Sequence, residues 1–399
     1  MISVEEALAE CLGLATPLGS ETVLLAEAGG RVLVKPVVAS RDQPPFSASA
    51  MDGYAVRDVE AIPGRRLKVV GEAPAGRHWP GTIGPGEALR IFTGAPLPDG
   101  TDRVVIQEDV ERDGDRITLG RNLSSGHNVR PSGADFVVGD TLAAPRRLSP
   151  ADVALAASMN APRLSVGKRP DVALIATGDE LVTPGEDPAP DQIIASNTYG
   201  LKARIEAEGA KARLLPIARD NRDSLKQVFD LAKDADIIVT VGGASVGDHD
   251  LVGDVAADLG LDRAFYKVAM RPGKPLMAGR LGKSALLGLP GNPVSAMVCG
   301  ELFLIPMLHA MMGLPGRARP RLRAELSVDL PANGPREHYM RAEVTPGDGL
   351  PQIAPYSVQD SSLLTILSSA TALMVRPIDD PRRRAGEIVE YIPLTPLFS

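Results

Sequence analysis

The rhythm of apolar and polar positions changes three times along the chain. Residues 1 to about 40 begin with helix-like spacing (MISVEEALAECLG) and pass into the extended stretch VLVKPVVAS. From about 46 to 130, short apolar runs (RRLKVVG, EALRIF, DRVVIQ, RITL) are broken by Gly/Pro turns. That pattern predicts β-strands in a small sheet or barrel. Ser149-Pro150-Ala151-Asp152 then offers an N-cap, a proline at the first helical position and an acid three residues on, predicting a helix through Ala157. From about 168, strands are predicted at Val172–Ala176, Ala212–Ile217 and Asp236–Val241. Between and after them come helices at Asn197–Glu208, closed by Gly209, at Ser224–Ala232 and near Leu251–Leu259. Strands alternating with helices at this spacing mean βαβ units and a mostly parallel sheet covered on both faces. After about 316 the pattern returns to short strands with Gly/Pro turns, so a separate C-terminal β-domain is expected. The fold class is multidomain α/β plus β, with a doubly wound central domain.

Length and composition narrow the class. A chain of 399 residues is expected to form two to four domains. Formal charge is 43 − 50 = −7 and aromatic residues are 4%, which disfavours nucleic-acid binding, where basic patches and stacking rings are usual. Cys11 and Cys299 form no CxxC unit, so neither a disulfide framework nor a cysteine zinc site is expected, and a cytoplasmic setting fits. The acids of MISVEEALAECLG do not suit a secretory leader. Val294 to Leu314 is apolar enough to consider as a membrane span, but Glu301, Pro306 and His309 interrupt it, and a buried helix is the better reading.

Ligands of parallel sheets sit beyond the carboxyl ends of the strands, where TGDEL and TVGGASVGDHD both fall. In the second segment Gly242, Gly243 and Gly247 would let backbone approach a phosphate, although tight βα turns need glycine anyway. It matches neither GxxxxGK[ST] nor GxGxxG. Asp248 and Asp250 would repel an anion unless Mg²⁺ lay between; helix capping by Asp250 is the equal alternative. In LLGLPGNPVSAMV, the turn Pro290-Gly291-Asn292-Pro293 opens an apolar helix with Ser295 in its first turn, an arrangement that attracts phosphate. KVAMRPGKP clusters Lys267, Arg271 and Lys274 as a candidate oxyanion site, with a solvated strand edge as the commoner explanation. PPFSASAMDGYAV around Asp52 and RPSGADFVVGD around Arg130 and Asp135 are aperiodic, where functional residues concentrate. Asp52-Gly53 also reads as a type I′ turn.

Together, SAMDGYA, RIFTGAPLP, NVRPSGADF, TGDEL, GGASVGDHD, RPGKP and LPGNPVSA occur in the order and at the spacing of the MoeA family of molybdopterin molybdenumtransferases, which includes the gephyrin E domain. The resemblance covers nearly the whole chain. It implies a linker/dimerisation domain over 1–45 and 131–167, an inserted β-domain over 46–130, a molybdopterin-binding (MoaB/Mog-like) α/β domain over 168–315 and a C-terminal β-barrel over 316–399. It also implies a homodimer whose cleft lies between the pterin-binding domain of one subunit and the first domains of the other. The implied activity inserts molybdate into adenylylated molybdopterin, with Mg²⁺ and release of AMP, and molybdopterin adenylyltransferase is a conceivable partner.

On that resemblance the active acids are Asp52, Asp135, Glu180, Asp220 and Asp250, with Thr93 and Lys267 also tied to activity. Asp52, Glu180, Asp220 and Asp250 are the implied metal acids. Substrate phosphates fall to Gly242, Gly243, Ser245, Gly247, Pro290, Gly291, Asn292 and Ser295, and molybdate to Arg271, Lys274, Arg336, Arg341 and Ser361. The sequence departs from the family at Ala134, Asn221, Arg271 and Thr371, where Glu, Asp, Lys and Asn are common. Two alternatives compete: a molybdopterin adenylyltransferase, generally little more than the 168–315 domain, and a gephyrin-like scaffold without catalysis.

Overall fold

The computed structural model describes residues 1–243 and 251–394. They fall into two compact units: Met1–Glu21 with Gly30–Val34 and Val166–Ser399, and Thr22–Gly29 with Lys35–Ser165.

The first unit is organised by a six-stranded sheet of β1 (Asp171–Ala176), β2 (Lys211–Leu214), β3 (Ile237–Val241), β4 (Leu261–Tyr266), β5 (Met277–Leu281) and β6 (Ser284–Leu289), in the order β2-β1-β3-β6-β5-β4. The first four in that order are parallel, while β5 and β4 are added antiparallel. Alternation explains why their sequences read as unbroken apolar runs. Val172, Leu174, Ile237, Val239 and Leu287 enter one core, and Ala173, Ile175, Ile238 and Leu286 enter another. Each large aliphatic side chain so buried contributes about 1.5–3 kcal/mol. Leu174→Ala at the sheet centre would therefore cost about 2–5 kcal/mol.

The helices begin where the sequence supplies caps. Asn221 accepts from the Ser224 N–H at the start of Arg222–Ala232, and Asn197–Ala207 ends before Gly209, which takes φ +87°. The N-terminal helix Val4–Leu14 starts in a reciprocal Ser3–Glu6 capping box and buries Ala7 and Cys11.

The apolar stretch after β6 forms a helix over Pro293–Cys299, a wide π turn over Gly300–Leu304, and a further helix over Ile305–Met311. It is long and apolar enough to cross a membrane, but 83% of its most apolar window is buried inside the protein. The π turn lies just before Pro306, which has no N–H to donate into the ladder. Glu301, buried in this turn, is paired with Arg204 at 2.8 Å and Arg319 at 2.7 Å. The charge that breaks the apolar run serves to tie neighbouring elements together.

Five strands, Leu322–Leu326, Glu337–Thr345, Gln352–Pro355, Ala372–Arg376 and Ile388–Pro393, close into a barrel when Glu337–Thr345 pairs with Ala372–Arg376. Closure pairs the two outer strands of the five with each other. Ala324, Leu326, Ala342, Ile353 and Met374 fill the interior. The short strand Met270–Arg271 joins this sheet in parallel register, with Arg271 opposite His338.

In the second unit the runs RRLKVVG, EALRIF, DRVVIQ and RITL become strands of a six-stranded sheet that also takes in Gly53–Val56 and Val110–Asp113. Gly53 opens a strand and not a type I′ turn. A Cβ there would lie 2.1 Å from the Val105 carbonyl oxygen, so close strand approach is what requires glycine. The helix Pro150–Ser158 starts in the expected box of Ser149 and Asp152.

Candidate active site

The carboxyl ends of the four parallel strands open on one cleft of about 1040 Å³ in the first unit. Thr177, Gly178 and Glu180 come from the turn after β1, Asp220 from beyond β2, Gly242 and Gly243 from beyond β3, and Pro290, Gly291 and Asn292 from beyond β6. Two motifs far apart in sequence therefore meet here. A Cβ on Gly291 would touch the Gly242 Cα at 3.4 Å.

The two glycines after β3 are demanded first by the protein's own packing. Gly242 takes φ +100° and a Cβ would lie 2.6 Å from the Thr177 carbonyl oxygen; Gly243 takes φ +68° and a Cβ would lie 2.2 Å from Val252. The turn after β6 is similarly held, since Asn197 Nδ2 donates to the Gly291 carbonyl at 2.7 Å. Ser295 is buried and lines the cleft. The Val294 N–H at this helix start already donates to the Ser361 carbonyl at 3.0 Å, so one of the free donors expected there is used internally.

Glu180 and Asp220 both line the cleft. Arg219 fixes the turn that carries Glu180, donating through Nη1 to the Gly178, Asp179 and Leu181 carbonyls at 3.4, 3.0 and 3.0 Å. Asp220 is anchored through its own N–H, which donates to Asp179 Oδ1 at 3.0 Å. A third acid, Asp254, lines the same cleft. Among the described residues no three His, Cys, Asp or Glu side chains converge tightly enough to cage a metal. Magnesium typically takes one or two carboxylates and completes its shell with water and substrate phosphates. Two acids of hard oxygen character therefore fit that ion.

From the C-terminal side, Ser361 reaches the turn after β6: its Oγ accepts from Asn292 Nδ2 at 2.8 Å. Its neighbour Ser362 lines the cleft. Arg341 is 1% exposed and points into the barrel-side loop, where Nη1 donates to the Asp360 carbonyl at 2.7 Å and Nε and Nη2 donate to Gln359 Oε1. It is not in the cleft lining, and burial lowers its pKa from the usual guanidinium value. Lys267, Arg271, Lys274 and Arg336 are also outside that lining, although Pro275 belongs to it. Lys267 takes φ +74° and sets its ammonium 4.8 Å from the Tyr266 ring centroid. A Cβ on Gly273, at the centre of RPGKP, would lie 2.4 Å from Cys299 Sγ, so this turn is pressed onto the helix that follows Pro290-Gly291-Asn292.

In the second unit Asp52 Oδ1 accepts from both the N–H and the Oγ1 of Thr93, each at 2.8 Å. These two bonds, backbone first, hold its carboxyl below the ordinary range, helped by the Arg90 charge. Asp135 stands beside Gln43, to whose carbonyl its N–H donates at 2.9 Å. Ser245, Gly247, Asp248 and Asp250 lie outside the described residues. Thr177, Asn197, Arg219, Asp254 and Gln359 were not singled out from sequence. Local signals existed for Thr177, the first residue of TGDEL, and for Asn197, which opens a predicted helix.

A cleft at the carboxyl ends of a parallel sheet, joined in one unit to a small barrel, defines a ligand-binding α/β protein. Residues 173–310 match the family model described as "Probable molybdopterin binding domain". Residues 2–160 match "MoeA N-terminal region (domain I and II)" and 323–394 match "MoeA C-terminal region (domain IV)". The chain is 37% identical over 387 residues to a molybdopterin molybdenumtransferase of Nostoc sp., covering 94% of this chain and 89% of that protein. It is 36% identical over 412 residues to molybdopterin molybdenumtransferase 2 of Mycobacterium tuberculosis, covering 99% and 100%. The solved molybdopterin biosynthesis MoeA protein of Pyrococcus horikosii superposes with a TM-score of 0.82 at 29% identity, over 99% of this chain and all of that one. The chain belongs to the MoeA family of molybdopterin molybdenumtransferases.

Proposed function

We propose that this chain inserts molybdenum into molybdopterin, taking molybdate and adenylylated molybdopterin and releasing AMP. One observation carries the reading: the four parallel strands deliver two backbone turns, Ser295 and the acids Glu180 and Asp220 to a single cleft of about 1040 Å³. The turns at Gly242–Gly243 and Pro290–Asn292 face the substrate phosphates. Glu180 and Asp220, with Asp250 as a further candidate, would hold Mg²⁺, which supplies positive charge against the pyrophosphate. Arg271, Lys274, Arg336 and Ser361 are assigned to the molybdate dianion. Arg341 is placed behind that pocket, because its guanidinium is engaged in the loop.

We assign Asp52, backed by Thr93, and Asp135 and Lys267 to the reaction as residues implied by the family. A homodimer is the proposed working form. In its support, Val38, Phe46, Val137 and Val138 are exposed on segments 37–46 and 136–142, which pair with each other. Molybdopterin adenylyltransferase is the proposed supplier of substrate and the cytoplasm the proposed setting.

Purified protein is to be given adenylylated molybdopterin with molybdate or tungstate, with and without Mg²⁺. Molybdenum cofactor and AMP should appear together and should be lost with a chelator. Adenylylation of molybdopterin from ATP without insertion would instead identify an adenylyltransferase, and neither activity would leave a scaffold.

A further inference from the structure

The loop between the barrel strands Gln352–Pro355 and Ala372–Arg376 brings Ser362 to the cleft and Ser361 against the Asn292 turn that lines it, although residues 356–363 contain no helix or strand. Something must set where it stands. Beside backbone bonds such as Tyr356 N–H to the Arg341 carbonyl at 3.0 Å, one side-chain amide makes most of the bonds that tie it to the barrel. Gln359 Nε2 donates to the Arg341 carbonyl at 2.9 Å and to the Tyr356 carbonyl at 2.8 Å. Gln359 Oε1 accepts from the Arg341 N–H at 3.0 Å, from Nε at 3.3 Å and from Nη2 at 3.2 Å. Both donor hydrogens and the acceptor oxygen are therefore used, all but one of the bonds on Arg341.

The knot continues towards the cleft. Arg341 Nη1 donates to the Asp360 carbonyl at 2.7 Å, and Asp360 Oδ1 accepts from the N–H and Oγ of Ser362 at 2.8 and 2.7 Å. Between these two fixed points lies Ser361. Its carbonyl accepts from the Val294 N–H at 3.0 Å and its hydroxyl from Asn292 Nδ2 at 2.8 Å. Strand Glu337–Thr345 is thus connected to the turn after β6 through Arg341, Gln359, Asp360 and Ser361.

We propose that Gln359 is a positioning residue for insertion, setting the Ser361 hydroxyl in the molybdate-facing wall through its clamp on Arg341. The inference rests on the reading of Ser361 as an anion-binding group. Removing the amide deprives a buried guanidinium of its side-chain acceptor and two carbonyls of a donor, so the loop re-seats and Ser361 leaves its place.

The test is a double-mutant cycle on the full chain, read as the molybdate concentration for half-maximal insertion, with thermal melting as control. Ser361→Ala should raise that concentration about tenfold, and Gln359→Ala should raise it by a similar factor with kcat changed less than about twofold. The double variant should be no worse than Ser361→Ala alone. Should Gln359→Ala fold poorly, Gln359→Glu takes its place; it keeps an acceptor for Arg341, loses both donated bonds, and should show the same non-additivity with a smaller rise. Independent, multiplying effects would mean that Gln359 supports the fold at large and would overturn the inference. So would an unchanged molybdate requirement in Gln359→Ala. An unchanged requirement in Ser361→Ala alone would instead remove the anion role of Ser361, and with it the route by which Gln359 acts.

Discussion

Asp52 in the Lys35–Ser165 unit and the pair Glu180 and Asp220 in the other unit are all loop carboxylates at turns next to strands, yet they are held differently. Asp52 has its charge answered inside the protein by two donors from Thr93. Glu180 and Asp220 are positioned through main-chain atoms, by Arg219 and Asp179, and their carboxylate oxygens receive no hydrogen bond within the described residues. A carboxylate that is already hydrogen-bonded is preorganised in its ionised form and held in one orientation. One that is held by its backbone alone keeps its charge for a ligand. The first arrangement suits a fixed acid or orienting group, the second a metal–phosphate site.

The largest expected effect tests the first half of this contrast. Asp52→Ala should reduce turnover by about 10²–10⁴-fold, the range for a positioned acid–base group, while melting temperature and oligomeric state stay as in the parent. Normal turnover would end its catalytic assignment. Thr93→Val keeps the N–H bond and removes the hydroxyl bond, so the Asp52 pKa rises towards its ordinary value. The ionised form is then lost at a higher pH as acidity increases, and the acid limb of the rate profile should move upward in pH. An unmoved limb would show that Thr93 does not tune this carboxyl.

Glu180→Gln and Asp220→Asn test the second half. Each should raise the Mg²⁺ concentration for half-maximal insertion by about tenfold, with folding unchanged because neither carboxylate supports the core. Arg219→Ala should show a weaker form of the same defect, since it loosens the turn without removing a ligand. If Asp52→Ala changed the Mg²⁺ requirement more than these variants did, the division of labour drawn here would be reversed.

Three of the six strands in the first-unit sheet, β1, β2 and β3, were predicted, whereas β4, β5 and β6 were not marked out. Of these, β1 and β3 were the most readable, because a doubly covered strand is nearly all apolar. Runs such as VALIA and DIIV declare themselves without neighbours. Turn chemistry was equally local, as at Ser149, Gly209 and the Pro290–Pro293 turn, whereas the Asn221 cap was not read. Closure of the C-terminal barrel was not local. It depends on Glu337–Thr345 meeting Ala372–Arg376 across an intervening strand, Gln352–Pro355, and a short helix, Leu364–Ser369, a pairing that no periodicity marks. The same applies to the site. Glu180 and Asp220 sit in turns after predicted strands and could be found, whereas Gln359 is an ordinary polar residue in an irregular loop whose role exists only through its bonds to Arg341. Arg341 shows the converse: its charge and motif suggest an anion ligand, while its burial and its bonds to Gln359 and Asp360 are visible only in the fold.

Arg271 and Lys274 provide an intermediate test. Replacing both with Ala should raise the molybdate requirement by about tenfold while changing affinity for the pterin substrate less, as expected for charges directed at a dianion. Equal loss of both affinities would move this turn out of the oxyanion pocket and into general support of the cleft.

The smallest effect concerns His338, which is buried opposite Arg271 and Arg376 in the sheet. Burial first, and then the charges of Arg271, Arg376, Arg341 and Arg336, lower its pKa from 6.5 to about 4. The native protein therefore refuses a proton that the unfolded chain accepts at 6.5. Stability gained from keeping the ring neutral is complete above pH 6.5 and drains away as pH falls towards about 4. Over that window the parent should lose a few degrees more of melting temperature than His338→Phe, a difference on the order of 1–2 kcal/mol in stability. Above pH 7 neither the two melting curves nor their molybdate requirements should diverge with pH. A parallel fall of both proteins between pH 6.5 and 4 would mean that the arginines around His338 are offset by contacts that let it take its proton normally.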